Sequence, residues 1–272
     1  MYKKIKVIIK GGGDLGSGIA HRLFVSGLKI IITEKPNPVT IRRKVSFAEA
    51  VYSENITIEG VTGIKFDLNE AINDINSVWN KNFIPVITDP QFQSGTYLQP
   101  DVIVDATLKG ISQKNIKIND APVTIGVGPG FIAGKDVNYV VETQRGHTLG
   151  SVITQGEALP NTGIPGFQQG YTFERVLYSP CNGMLTYNNY DIGDEVNIED
   201  TICYVDDIPV NAKISGVLRG LSSANLYVYE KQKIGDIDPR NNSEYAFTIS
   251  DKARAIGGGV LEAILRGLNN YL

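Results

Sequence analysis

The chain has 272 residues, enough for two domains of roughly 100–200 residues each. Hydrophobic residues make up 42%, which suffices for real cores, and the net charge of -3 with a pI near 5.5 leaves no basic face for nucleic acid or acidic lipid. Two cysteines, Cys181 and Cys203, are too few for a disulfide framework, and with only two histidines, His21 and His147, no metal site is expected.

Charged residues interrupt the first apolar run, so neither a secretion signal nor a membrane-spanning helix is expected there, and a cytoplasmic location is. Ile5 to Lys10 is β-branched and apolar. It ends in Gly11-Gly12-Gly13-Asp14-Leu15-Gly16, and a helical pattern (Ile19, Ala20, Leu23, Phe24) follows at once. In a strand–turn–helix setting, glycines at 11, 13 and 16 serve the tight turn, the close approach of a pyrophosphate and helix–strand packing. The helix start, with Asp14 in its first turn, would face the anion. A second apolar run, Leu28 to Ile32, ends at Thr33-Glu34, and Glu34 stands where an acid would hold a ribose hydroxyl. Arg42 and Arg43 follow a Lys35-Pro36-Asn37-Pro38 loop; a guanidinium here would grip a second phosphate or form a solvated basic patch.

Further along, Phe47–Tyr52 reads as a short helix, Ile56–Ile58 and Val61–Phe66 as strands, and Leu68–Trp79 as one amphipathic helix. Ile84–Ile87 and Val102–Val104 read as buried strands, ending near Asp89 and Asp105. Strands alternating with helices predict a mostly parallel sheet, with ligands at the carboxyl ends of its strands.

Residues 106–172 lack helical periodicity and are rich in glycine and polar groups. Gly126–Gly130 would form either a second anion nest, with Gly128 and Gly130 contributing, or a strained turn. Glu142, Arg145 and His147 follow a strand; the histidine would transfer protons under the influence of the other two, or cap a loop. Asn161 and Thr162 lie on a glycine-flanked loop suited to a turn or to substrate contact.

Residues 175–240 carry a weak internal repeat. Pro180–Leu185 with Ile192–Val196 matches Ala212–Arg219 with Ile234–Asp236. It resembles the barrel-sandwich fold of biotinyl and lipoyl carrier domains. Those domains modify a lysine in the hairpin between the halves; here that hairpin is Asp206-Asp207-Ile208-Pro209, without lysine, which favours a structural or docking element. Cys181 reads as a passive turn residue and Cys203 as core. The tail is an amphipathic helix with Ser250 as N-cap. Gly257-Gly258-Gly259 would cost about 1 kcal/mol each inside a helix, so either they pack against another backbone or the helix starts at Gly259. Lys252 and Arg254 form a solvated helix start or reach an anionic ligand.

Six phrases together, Lys10–Gly18 (KGGGDLGSG), Ser46–Tyr52 (SFAEAVY), Gly126–Gly130 (GVGPG), Glu142–His147 (ETQRGH), Pro160–Gly166 (PNTGIPG) and Ser250–Gly259 (SDKARAIGGG), resemble the YqeB-type accessory proteins of the selenium-dependent molybdenum hydroxylase system. The resemblance spans essentially the whole chain. It implies a role in maturing molybdenum hydroxylases, with an apo-hydroxylase as partner and the molybdenum cofactor, a pterin dinucleotide, as ligand in place of NAD(P). It supplies no catalytic residue.

The expected architecture is α/β. A Rossmann-like region spans 1–172, a barrel-sandwich module 173–240, and a C-terminal helix over 241–272 returns to the body; the chain has a possible homo-oligomeric state. The expected cofactor-binding residues are Gly11, Gly13, Asp14, Gly16, Glu34, Gly128 and Gly130. Asn161, Thr162 and Arg42 are expected to bind substrate, and Glu142, Arg145 and His147 to act in catalysis. Two functions compete with cofactor delivery: an NAD(P)-dependent oxidoreductase using His147, and a docking module with a vestigial nucleotide site.

Overall fold

The computed structural model describes residues 4–108 and 116–269, so the last three residues of the expected C-terminal helix lie outside it. The protein is a mixed α/β chain that divides into two compact units. The first comprises the residues up to Pro38, Ser46–Asn161 and the chain from Ile249 onward; the second comprises Val39–Val45 and Thr162–Thr248.

The first unit is built on a nine-stranded sheet. Its strands are β1 (Lys6–Lys10), β2 (Lys29–Glu34), β3 (Asn55–Ile58), β4 (Val61–Phe66), β5 (Ile84–Thr88), β6 (Val102–Asp105), β7 (Val123–Val127), β8 (Tyr139–Val141) and β9 (Val152–Ile153). Their order is β3-β4-β5-β2-β1-β6-β7-β8-β9. The seven strands from β4 to β8 run parallel, and β3 and β9 add antiparallel edges. Parallel sheets are covered on both faces, so their strands read as continuous apolar runs. Val7, Ile8 and Ile9 accordingly have no exposed surface. After β1 the chain moves to one side of the sheet through β2 to β5, then crosses to the other through β6 to β8. The crevice between β1 and β6 is therefore the point where strand order reverses.

Helix α1 (Asp14–Val25) packs against the C-terminal helix, Asp251–Asn269. Glycine permits this approach: a Cβ on Gly18 would lie 2.6 Å from that of Ala253, and one on Gly257 would lie 3.2 Å from the Gly18 carbonyl oxygen. Of the two readings of Gly257-Gly258-Gly259, close packing holds for Gly257 and Gly259. The helix runs unbroken from Asp251, and the Ala253 N–H donates to Ser250 Oγ at 3.2 Å as an N-cap. Glu59 anchors the same helix, accepting the Ile249 N–H at 2.8 Å and the Arg254 guanidinium at 2.6 and 2.7 Å. The single helix expected over Leu68–Trp79 is two, Leu68–Asp74 and Asn76–Asn80. Asp74 accepts the Ser77 N–H at 3.2 Å, a local side-chain bond that starts a new turn.

The second unit holds two four-stranded antiparallel sheets. One orders β10 (Val176–Tyr178), β17 (Lys233–Asp238), β15 (Gly216–Leu221) and β12 (Glu195–Val196). The other orders β14 (Ile208–Asn211), β13 (Thr201–Val205), β11 (Gly183–Tyr187) and β16 (Tyr227–Val228). The two repeat copies thus place β11 and β15 in different sheets. This unit starts at 162 rather than 173, ends at 248 rather than 240, and takes in Val39–Val45. Hydrogen bonds explain the difference. The Leu221 N–H donates to the Ile41 carbonyl at 2.8 Å, and Arg43 Nε to the Leu221 carbonyl at 2.7 Å. A buried ion pair, Arg175 to Asp236 at 2.8 Å, lies within the same unit.

Candidate functional site

The loops at the carboxyl ends of β1, β6, β7 and β8 touch in series. A Cβ on Gly11 would lie 3.4 Å from the Ala106 carbonyl and Thr107 Cα, and one on Gly128 would lie 3.2 Å from Leu108 and 2.8 Å from Thr143 Oγ1.

The glycines of the first turn have separate reasons. Gly11 has φ +93°, the left-handed region that favours glycine. A Cβ on Gly16 would overlap the Gly11 carbonyl oxygen, so the turn and helix meet only without one. Gly12 is spent on the fold. Its N–H donates to Glu34 Oε1 at 2.7 Å, and its carbonyl accepts the Ala48 N–H and the Ser17 hydroxyl, both at 2.9 Å. Gly13 is different. It caps α1 with φ -64° and ψ -177°, which any residue adopts, and a Cβ there would have nothing within 4 Å. Neither backbone nor packing asks for glycine at 13. No side chain caps α1, so the first-turn amides face that open space with the positive end of the helix dipole behind them.

Lys252, in the first turn of the C-terminal helix, stands beside this turn. Burial lowers the pKa of its ammonium and the charge of Arg145 lowers it further; Asp14, Glu142 and Asp251 pull the other way, and the net value lies below the ordinary lysine value. The neighbouring charges are spent elsewhere: Arg145 grips Asp251 with bonds of 2.7 and 3.1 Å. Lys252 itself makes no hydrogen bond or ion pair to a described residue.

The remaining sequence candidates fall as follows. Glu34 braces the turn: Oε1 takes the Gly12 N–H and Oε2 the Lys35 N–H at 3.1 Å. Glu142 is 3% exposed and accepts three backbone N–H groups, from Thr143 and Gln144 at 2.7 Å and from Leu159 at 2.8 Å, so it organises its loop. His147 is exposed, with no hydrogen bond to a described residue. Gly128 and Gly130 have φ of +79° and +106°, and the Gly128 N–H is spent on the Val141 carbonyl at 2.9 Å. Asn161 ends the first unit and Thr162 opens the second; the Thr162 hydroxyl accepts the Ile164 N–H at 3.2 Å. Arg42 belongs to the second unit, 7% exposed, and donates to the carbonyls of Tyr245 at 2.8 Å and Thr248 at 2.9 Å. The structure therefore gathers Gly11, Gly13, Asp14 and Gly16 at one turn, with Arg145 and Glu142 flanking it through Lys252. Arg42 and Thr162 lie in the other unit.

Of the cysteines, Cys203 is core, its thiol pushed up to about 12 by burial, and Cys181 is half-buried with Sγ 3.8 Å from the Val205 carbonyl oxygen. Among the described residues no group of three or more His, Cys, Asp or Glu is placed to hold a metal, and no helix is long and apolar enough to cross a membrane. An open cleft of about 860 Å³ lies toward the amino ends of β6 to β8, lined in part by Gln91, Phe92, Gln99, Asp101, Ile103 and Asp120. Its two carboxylates accept backbone N–H groups, Asp101 from Lys6 at 2.8 Å and Asp120 from Lys117 at 2.7 Å.

Fold and site together define a mixed α/β protein whose parallel sheet turns on glycines at the strand-order reversal and which carries a separate β-rich unit. Among known proteins, the chain is homologous to the uncharacterized protein YqeB of Escherichia coli (strain K12), 43% identical over 261 residues. The match takes in 95% of this chain and 47% of YqeB, so the chain spans about half the length of that relative. No family model matches. Among solved structures, the apo form of the ectoine utilization protein EutE (DoeB) from Ruegeria pomeroyi aligns over 86% of each chain at 10% identity and a TM-score of 0.25, a likeness that carries no argument.

Proposed function

We propose that this chain binds a phosphate-bearing, dinucleotide-type ligand over the first turn of α1, and that its role is to deliver or modify such a ligand during molybdenum hydroxylase maturation. In this reading the first unit is Rossmann-like and the ligand is the molybdenum cofactor, handled as cargo for an apo-hydroxylase. The observation that carries the binding is Gly13, a glycine required by neither backbone nor packing, standing open before uncapped helix amides. Gly11 and Gly16 hold the turn, and Lys252 supplies the positive charge that a phosphate needs. The context of hydroxylase maturation rests on the resemblance of the six phrases to YqeB-type proteins. Binding is favoured over proton transfer because Glu142 and Arg145 are committed to the fold.

The second unit is read as a barrel-sandwich docking module. Its hairpin tip is pinned to β11: the Asp206 N–H donates to the Met184 carbonyl, and the Met184 N–H donates to Asp206 Oδ1, both at 2.9 Å. A tip so held, without lysine, does not serve as a swinging arm.

Thermal unfolding with NAD, NADP, FAD, ATP, CTP and the molybdenum cofactor, with and without its cytosine nucleotide, tests the reading. A ligand at roughly 100 times its Kd stabilises the folded state by about 2.7 kcal/mol. A shift with the molybdenum cofactor is expected, and Gly13→Leu should abolish it while leaving the ligand-free Tm in place. A shift retained in Gly13→Leu overturns the site, and a shift with NAD or NADP alone replaces the cargo with a redox cofactor.

A further inference from the structure

Two buried side chains beside the glycine turn have polar atoms with no hydrogen-bond partner among the described residues: Thr33 Oγ1, 1% exposed, and Asp105 Oδ2, 1% exposed. Both sit at the carboxyl ends of strands that flank β1. In the sheet register Lys10, the last residue before Gly11, pairs with Thr33 on one side and Asp105 on the other. Paired residues of adjacent strands point to one face, so the three form a row at the edge where α/β sheets take their ligands. The row adjoins the turn directly. The Gly11 N–H donates to the Thr33 carbonyl at 2.9 Å, and Thr107, two residues past Asp105, packs against Gly11.

The unmet valences are specific. Asp105 Oδ1 is occupied by the Thr107 N–H at 3.0 Å and the Thr107 hydroxyl at 2.6 Å, which leaves Oδ2 as an acceptor. Nearly all buried polar atoms in native proteins find partners, and leaving one unmade is costly. Two such atoms at one sheet edge, on either side of one strand, point to donors and acceptors supplied by something that binds there. The same face continues into the open cleft, since Ile103 precedes Asp105 by two residues and lines it, and the Lys10 ammonium lies 5.3 Å over the ring of Phe92, another lining residue.

We infer that Asp105 and Thr33 read the hydrogen-bonding part of the ligand, an O–H or N–H donor carried next to its phosphate, as in the ribose or base of a nucleoside diphosphate. This rests on the phosphate site proposed above and gives the acid-reading role expected of Glu34 to Asp105, because Glu34 is spent on the turn.

Isothermal titration of the whole chain with inorganic pyrophosphate, ADP, CDP and GDP separates the two ideas. Asp105→Asn keeps the Oδ1 acceptor for Thr107, and Thr33→Val keeps the shape. Each is expected to weaken the tightest nucleotide at least about tenfold while leaving pyrophosphate within about twofold. Thr33→Val should also raise the ligand-free Tm, because it removes a buried hydroxyl with no partner. Nucleotide affinity unchanged in both variants, an equal loss for pyrophosphate and nucleotide, or a lowered Tm in Thr33→Val overturns the inference while leaving the phosphate site standing. No binding of any of the four probes by the unaltered chain overturns the phosphate site, and this inference with it.

Discussion

The Gly12 amide donates to Glu34 Oε1 at 2.7 Å, tying the turn after β1 to the end of β2. The bond gives Glu34 a task inside the protein, since its second oxygen holds the Lys35 N–H. Glu34→Ala leaves two backbone donors without this acceptor and should cost about 1–2 kcal/mol, a charged hydrogen bond discounted for partial exposure. Glu34→Gln keeps an acceptor for Gly12 and should cost less than half as much. Urea unfolding of the two variants makes the comparison. An equal loss would mean that the carboxylate charge, not the hydrogen bond, holds the turn.

Adjacent glycines in the C-terminal helix should respond with opposite signs. A Cβ on Gly259 would overlap the Gly150 carbonyl oxygen, a backbone atom that cannot rotate away. Gly259→Ala should therefore lower stability by at least about 2 kcal/mol, as overpacking does. Gly258 has nothing within 4 Å of its Cβ position and lies in the helix interior. Gly258→Ala should raise stability by about 0.5–1 kcal/mol through helix propensity alone. Chemical denaturation of both variants decides it, and destabilisation by Gly258→Ala would contradict the packing described.

Acid should loosen the anchor of the same helix. Burial raises the Glu59 carboxyl pKa, but the Ile249 N–H and the Arg254 guanidinium outweigh it, so the folded value lies below the ordinary 4.5. A depressed carboxylate contributes stability above its unfolded pKa and loses it as pH falls through the folded value. At pH 7 Glu59→Gln should cost about 1 kcal/mol, a modest figure because Arg254 is 47% exposed. The Tm difference between the unaltered chain and Glu59→Gln should shrink as pH drops below about 4.5. A difference that stays constant from pH 7 to 3 would show that the pair contributes no titrating stability.

Much of the fold was legible in the residues themselves. The continuous apolar runs Val7–Ile9 and Val102–Val104 announce strands buried on both faces, and the glycine turn with the helix after it is local chemistry read at 3.6-residue spacing. The C-terminal helix and its Ser250 cap were equally plain, because a cap and an apolar stripe are written within a few residues. What each polar side chain does was not. Arg42 looked like a phosphate grip and instead donates to the Tyr245 and Thr248 carbonyls more than 200 residues along the chain. Glu142 reads as a residue that tunes His147 in catalysis, yet it holds three amides of its own loop. Thr33 and Asp105 carried no signal beyond strand-end positions, because an unmet hydrogen bond is a property of everything that surrounds an atom. Hydrophobic periodicity and turn chemistry are local, so the sequence alone determined the strands of the parallel sheet, the turn after β1, and the first and last helices. Hydrogen bonds and burial are settled by groups far apart in the chain, so only the tertiary structure decided that Gly13 stands open, that Glu34 is spent on the turn, and that residues 39–45 belong with the β-rich unit.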